Sequence, residues 1–254
     1  MSKLAERHKH ILDAMARDGL VKVADLAESL GVTPTTIRKD LNILESKGLL
    51  FRAYGGALPN TKQIMDINLK TKKKIDFEDK KKIAEAACQL VEENDSIIIA
   101  SGSTLSIFAD SLVPKGRLNI VTTAVNISTR FGEMPGVTVM QIGGLLYSNT
   151  LSVIGHGAVN AIRNVFCNKA FLGIDGFDPE YGITCAAVEE AEVCRQMVLS
   201  AKRTIILTDS SKFGNRGLAR ICDVKSVSTI ITDDKLPEEY RKIIEGLGIE
   251  LIIA

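Results

Sequence analysis

The amino-acid sequence predicts an α/β protein in two parts: a small helical domain closed by a β-hairpin, then a larger domain built on a mostly parallel sheet. Three observations carry that prediction. Residues 5–46 contain three segments with apolar residues at helical spacing, the third opening on Thr33-Pro34. Residues 49–58 run as a strand into the double glycine Gly55-Gly56. Beyond residue 79, short β-branched apolar runs alternate with helical segments, the pattern of a sheet buried on both faces.

The chain has 254 residues, 45% hydrophobic and 25% charged, which suits a globular domain of about 150–200 residues plus a small one. No apolar run approaches the ~20 residues of a membrane span. The start, MSKLAERHKH, lacks the apolar stretch of a signal peptide, so a cytoplasmic protein without a membrane partner is expected. The five cysteines (88, 167, 185, 194 and 222) are odd in number, scattered and free of any CxxC pair. They read as reduced, mostly buried thiols rather than disulfides or metal ligands. The net charge of +1 conceals an asymmetry. Residues 1–82 hold 17 Lys+Arg against 11 Asp+Glu, hence +6; the remainder holds 15 against 20, hence −5. A basic front joined to an acidic remainder fits a nucleic-acid module carried by a second domain.

Residues 5–17 form the first predicted helix, with Ile11, Leu12 and Met15 on its stripe. His8 and His10 make a short HxH that reads as two solvent-facing histidines on a helix. Leu20–Val23 alternates like a very short strand. Ala24–Leu30 is the second helix, with Gly31 as its C-cap. Gly31-Val32 is then the turn of a helix-turn-helix. Thr33 suits the N-cap of the next helix because its hydroxyl accepts a first-turn N–H. Pro34 follows at the position that tolerates a missing N–H. Ile37, Leu41 and Leu44 form the buried stripe, leaving Thr35, Thr36, Arg38 and Lys39 to face a polyanion and base edges in a major groove. Arg52 and Tyr54 alternate with Phe51 and Ala53 in the wing strand and point toward a phosphate backbone.

Residues 3–58 are thus read as a winged helix-turn-helix, 59–78 as a polar linker containing Lys72-Lys73-Lys74, and 79–254 as the α/β domain. A helix is predicted from Asp79 to about Val91. Strands are predicted at 96–100, 119–122, 137–142, 169–173, 203–208, 228–232 and 249–253. Ligands of such sheets bind beyond the carboxyl ends of the strands. Ser101-Gly102-Ser103-Thr104 follows the first strand and opens a helix, an arrangement suited to phosphate. Thr122-Thr123, Gly143-Gly144, Asp175-Gly176 and Asp209-Ser210-Ser211-Lys212 follow later strands, and Glu189 opens a further helix. Carboxylates at this rim accept from sugar hydroxyls, and Lys212 pairs with phosphate or a carbonyl oxygen. His156, between Gly155 and Gly157, reads as a turn residue.

Thr36-Ile37-Arg38-Lys39-Asp40-Leu41, then Leu44-Glu45, Gly48, Arg52 and Tyr54-Gly55-Gly56-Ala57, resemble the DeoR family of bacterial transcription regulators. The SGST, GG, GIDG and DSSKFG segments are similar to that family's effector domain, which in turn resembles the sugar-phosphate isomerase and CoA-transferase fold. The resemblance implies a repressor of a carbohydrate-use operon, released by a phosphorylated sugar and needing no cofactor, metal or catalytic residue. It places the effector on Ser101, Gly102, Ser103, Thr104, Gly143, Gly144, Asp175, Asp209 and Lys212, together with Glu189. Three positions depart from the family pattern: Tyr54 replaces a usual histidine, Thr123 a common asparagine, and Tyr147 an arginine often found after the double glycine.

Repeated operator half-sites imply a homo-oligomer, a dimer or tetramer. The rival is a sugar-phosphate isomerase carrying a helix-turn-helix, with Asp175, Glu189 and Lys212 supplying base and electrophile. It leaves the basic module without a purpose, and no well-placed acid-base histidine accompanies it. Activation in place of repression would use the same DNA contacts.

Overall fold

The computed structural model of the chain describes residues 3–18, 21–46, 49–53, 56–59 and 69–254. Two compact units emerge, one of residues 1–67 with 74–76, the other of residues 68–73 with 77–254.

The first unit holds α1 (Lys3–Asp18), β1 (Val21–Lys22), α2 (Val23–Ser29), α3 (Pro34–Ser46), β2 (Leu50–Ala53) and β3 (Gly56–Pro59). Its three strands form an antiparallel sheet in the order β1-β3-β2. Ile11 and Met15 of α1, Leu26 of α2, and Ile37, Leu41 and Leu44 of α3 make one buried core with Leu50 and Ala57 of the wing. The turn between α2 and α3 uses Gly31 at φ +62°, and the Val32 N–H donates to the Ala27 carbonyl at 3.0 Å. Thr33 caps α3 as its sequence implies: its hydroxyl accepts the Thr36 N–H at 3.2 Å. Gly56 has a different necessity, because a Cβ there would meet the Val21 carbonyl oxygen at 2.1 Å.

The second unit continues with α4 (Leu69–Lys74), α5 (Phe77–Cys88), β4 (Ser96–Ile99), α6 (Ser103–Ser111), β5 (Leu118–Thr122), α7 (Val125–Phe131) and β6 (Val137–Gln141). There follow β7 (Leu145–Tyr147), β8 (Ser152–Ile154), α8 (His156–Arg163), β9 (Cys167–Leu172), β10 (Gly176–Asp178), β11 (Gly182–Cys185) and α9 (Val188–Leu199). The chain closes with β12 (Ala201–Leu207), β13 (Ala219–Cys222), β14 (Thr229–Thr232), α10 (Glu238–Gly246) and β15 (Glu250–Ile253).

The seven runs predicted as strands become one sheet, ordered β15-β14-β12-β9-β4-β5-β6, with every neighbouring pair parallel. Period-two alternation explains its burial on both faces. Ile98, Ala170, Leu172, Ile206 and Ile230 join the core beneath α8, α9 and α10. Ile97, Ile99, Phe171, Ile205 and Ile231 join the core beneath α5, α6 and α7. Two small antiparallel sheets, β7-β8 and β10-β11-β13, complete the domain. Their three- and four-residue strands are too short to declare themselves as periodic runs.

Helix also begins earlier than periodicity indicates. The six residues of α4 and the start of α5 fall inside the stretch read as linker. Leu69 is buried, its N–H donates to the Asn149 carbonyl at 2.8 Å, and Lys73 pairs with Asp110 at 2.5 Å. A polar composition conceals such docking, because the partners lie far away in sequence.

Candidate operator-reading helix and effector site

On α3 the apolar stripe turns inward and leaves Thr35, Arg38 and Lys39 exposed, with Thr36 half-buried and paired to Thr33 through their hydroxyls at 3.0 Å. Arg52 lies in β2; its side chain, and Tyr54 altogether, fall outside the described residues. Asp40 occupies the buried face of α3, where the α1 residues Arg7 and His8 meet it. His8 is therefore a partner of Asp40 at 3.3 Å rather than a solvent-facing residue, while His10 is exposed.

In the second unit, strand order reverses between β4 and β9: β5 and β6 continue on one side, β12, β14 and β15 on the other. In open α/β sheets such a reversal is where ligands are taken, here beyond the carboxyl ends of β4 and β9. From β4 the chain enters Ser101-Gly102-Ser103-Thr104. Gly102, at φ +133°, precedes α6 without a side-chain cap, so first-turn N–H groups are left for another acceptor. The Ser103 and Thr104 side chains, both buried, make no hydrogen bond among the described residues. From β9 the chain passes Gly173, where a Cβ would stand 3.8 Å from the Ser101 carbonyl oxygen, and reaches Asp175.

Asp175 is held on both carboxylate oxygens. Oδ2 accepts the Ala186 N–H at 3.0 Å, and Oδ1 accepts from Nζ of Lys72 on α4 at 3.1 Å. Lys80 of α5, itself buried, donates to the Lys72 carbonyl at 3.0 Å. The charge of Lys80 reaches Asp209, which follows β12 and has Lys212 Nζ 3.9 Å away. Burial alone would raise the Asp209 carboxyl. The charge of Lys212, the Ser211 hydrogen bonds and the charge of Lys80 outweigh it and hold the group below the ordinary carboxylate range.

The loop after β12 is braced from behind. Asp233 accepts the Ser210 N–H at 2.6 Å, and Phe213 stacks on Phe177 and Tyr240 at ring-centroid distances of 4.9 and 5.5 Å. Asp175, Lys72, Lys80, Asp209 and Lys212 therefore form one linked set of two carboxylates and three lysines across the ends of adjacent strands β9 and β12.

The remaining predicted residues sit apart from that set. Gly143 and Gly144 follow β6, the sheet edge two strands from β4. A Cβ at Gly144, at φ +150°, would meet Val153 Cγ1 at 2.7 Å and the Ile154 carbonyl oxygen at 3.1 Å, so backbone conformation and hairpin packing both favour glycine there. Glu189 is exposed on the first turn of α9. Its neighbour Glu190 turns inward and accepts from Thr150 Oγ1 at 2.7 Å and Ser152 Oγ at 3.3 Å. Thr123 is buried with its carbonyl accepting the Val153 N–H, Tyr147 is half-buried in β7, and His156 is the exposed first residue of α8.

Sequence reasoning missed Lys72, Lys80, Glu190 and Asp233. The only signal for the lysines was an unexplained cationic run beside an acidic domain.

A helix-turn-helix with a wing, followed by an α/β domain with charged residues linked across the ends of β9 and β12, defines a DNA-binding regulator with a ligand-sensing domain. The DeoR-like helix-turn-helix domain matches residues 7–63, and the DeoR C terminal sensor domain matches residues 75–234. The chain belongs to the DeoR family of transcription regulators and is a regulator, not an enzyme. It is 32% identical to a putative aga operon transcriptional repressor of Escherichia coli O157:H7, over 98% of this chain and 93% of that one. It is 26% identical to the glycerol-3-phosphate regulon repressor of Escherichia coli K12, over 98% of each. Among solved structures, ribose 5-phosphate isomerase A from Neisseria gonorrhoeae is similar at a TM-score of 0.37 and 16% identity, covering 54% of this chain and 53% of that one. No helix among the described residues is long and apolar enough to cross a membrane.

Proposed function

We propose that the protein represses a carbohydrate-use operon and leaves its operator when a phosphorylated sugar occupies the rim beyond β4, β9 and β12. Thr35, Thr36, Arg38 and Lys39 meet the major groove, while Arg52 and Tyr54 grip the backbone from the wing. The phosphate is received by the first turn of α6 and the Ser101–Thr104 hydroxyls. Asp175 and Asp209 accept from sugar hydroxyls, and Lys72 and Lys212 supply cations. The relatives' names, an aga operon and a glycerol-3-phosphate regulon, support this class of signal.

The observation that carries the reading is the Lys72–Asp175 pair at 3.1 Å. An anionic effector competes with Asp175 for Lys72, and a polyol competes with Lys72 for Asp175. Either way α4, which follows the DNA-binding unit in sequence, exchanges partners when the rim fills. The effector must bind the DNA-competent and released forms unequally, since equal affinity would shift nothing. A dimer or tetramer supplies paired recognition helices for repeated half-sites.

The test uses duplexes tiled from the region upstream of the gene, with binding read by fluorescence anisotropy. A panel of sugar phosphates and their unphosphorylated sugars is added, and melting temperature is followed in parallel. One phosphorylated member should raise the melting temperature and release the duplex while its parent sugar does neither. Release by the unphosphorylated sugar alone, or by no member, defeats the effector assignment.

A further inference from the structure

An acid on the buried face of a recognition helix is out of place unless something needs it there. Asp40 lies among Ile37, Leu41 and Leu44, all at most 2% exposed. A carboxylate in that setting costs several kcal/mol unless it is paired. Arg7 of α1 meets it with two nitrogens, Nε on Oδ2 and Nη2 on Oδ1, the latter at 2.9 Å, and His8 Nε2 stands 3.3 Å from Oδ1. Arg7 draws the carboxyl down against the opposing effect of burial, with His8 assisting, so the pair is ionised at neutral pH.

Apolar contacts between α1 and α3 are non-directional and leave a helix free to roll on its neighbour. A guanidinium–carboxylate fork is planar and fixes two atoms at once. Arg38 precedes Asp40 by two residues, about 200° around the helix, so what holds Asp40 inward holds Arg38 outward. A roll of about 20° would carry a side-chain tip about 8 Å from the axis through roughly 3 Å, more than a base contact tolerates.

We infer that the Arg7–Asp40 fork, with His8 beside it, sets the rotational position of α3, making Arg7 and Asp40 positioning residues for operator discrimination rather than DNA contacts. The inference rests on α3 being the reading helix.

The experiment compares the full chain with Arg7→Lys, which keeps the charge and loses the fork, and with the double variant Arg7→Met/Asp40→Leu. The double variant leaves no unpaired buried charge and so folds even where a single change does not. Each is titrated against the upstream duplex that the parent prefers and against a scrambled duplex, across a salt series, with melting followed separately.

The expected result is a loss of about tenfold or more on the preferred duplex. Affinity for the scrambled duplex and the salt slope should stay as in the parent, because phosphate contacts do not depend on base register. A purely structural role would instead lower the melting temperature, or weaken both duplexes together. That outcome, or full retention of the preference by the double variant, overturns the inference. Arg38→Ala run alongside separates the two ideas. Loss of preference there but not in the fork variants overturns the fork alone, while a parent without any preference overturns the reading of α3 itself.

Discussion

Nζ of Lys72 lies 3.1 Å from Oδ1 of Asp175, although 103 residues separate them in the chain. A lysine that composition assigns to a connector thereby becomes part of the rim where β9 ends. Lys72→Ala abolishes the pair that the effector is proposed to displace, so operator affinity should already fall in the absence of any effector. It should weaken the effector's release of the duplex by about tenfold or more, the scale of one hydrogen bond to a charged group. Anisotropy titration with the releasing sugar phosphate checks both halves, and an unchanged effector response removes Lys72 from the site.

Lys212 answers a neighbouring question. Lys212→Ala should retain duplex binding and lose release, since the cation stands 3.9 Å from the buried Asp209 and takes no part in the DNA-binding unit. A variant that responds to the sugar phosphate like the parent would show the rim to be misplaced.

Asp209 also makes a prediction in pH. Its folded carboxyl is held below the ordinary range, whereas in the unfolded chain it titrates near about 3.9. A depressed carboxyl contributes stability that is present above the unfolded value and is lost as pH falls through the folded one. Urea midpoints of the ligand-free protein should therefore decline with acid below about pH 4. Asp209→Asn, which has no proton to gain, should show a shallower decline in the same window. Parallel curves for parent and variant would remove Asp209 as a contributor.

Arg38→Ala should cost operator binding about 1–3 kcal/mol and relax preference at one base position if the guanidinium reads that base. A competition assay over single-base operator variants resolves this. Uniform weakening across all variants would instead assign Arg38 to a phosphate.

The thiols should be inert in the folded protein. Burial pushes Cys185 up to about 12 and Cys88 and Cys222 up to about 11, and raises Cys167 and Cys194 as well. Only about one thiol in a thousand at a value of 11 is thiolate at pH 8. A chromogenic disulfide should react slowly with native protein and rapidly with all five thiols after denaturation. Fast labelling of any cysteine in the native state would contradict this.

The sequence by itself determined the two-part architecture, the Thr33 cap, the Gly31 turn and all seven strands of the parallel sheet. These features are local. A cap is decided by a hydroxyl three residues from the N–H it accepts, and a buried strand by a run of β-branched residues. Ser101–Thr104, Asp175 and Asp209 were legible for a related reason, because a strand end is a position along the chain before it is a place in space.

What only the tertiary structure decided was which polar groups meet. Lys72 and Lys80 join the rim because α4 and α5 fold with the second unit; Glu190 rather than Glu189 turns inward because of its azimuth on α9; and Gly144 serves the β7-β8 hairpin. Arg7, an ordinary cation near the start of a helix, became the partner of Asp40 33 residues away. Long-range pairing of charges leaves no periodic trace in a sequence, since one lysine or aspartate looks like another until the backbone brings two of them within reach.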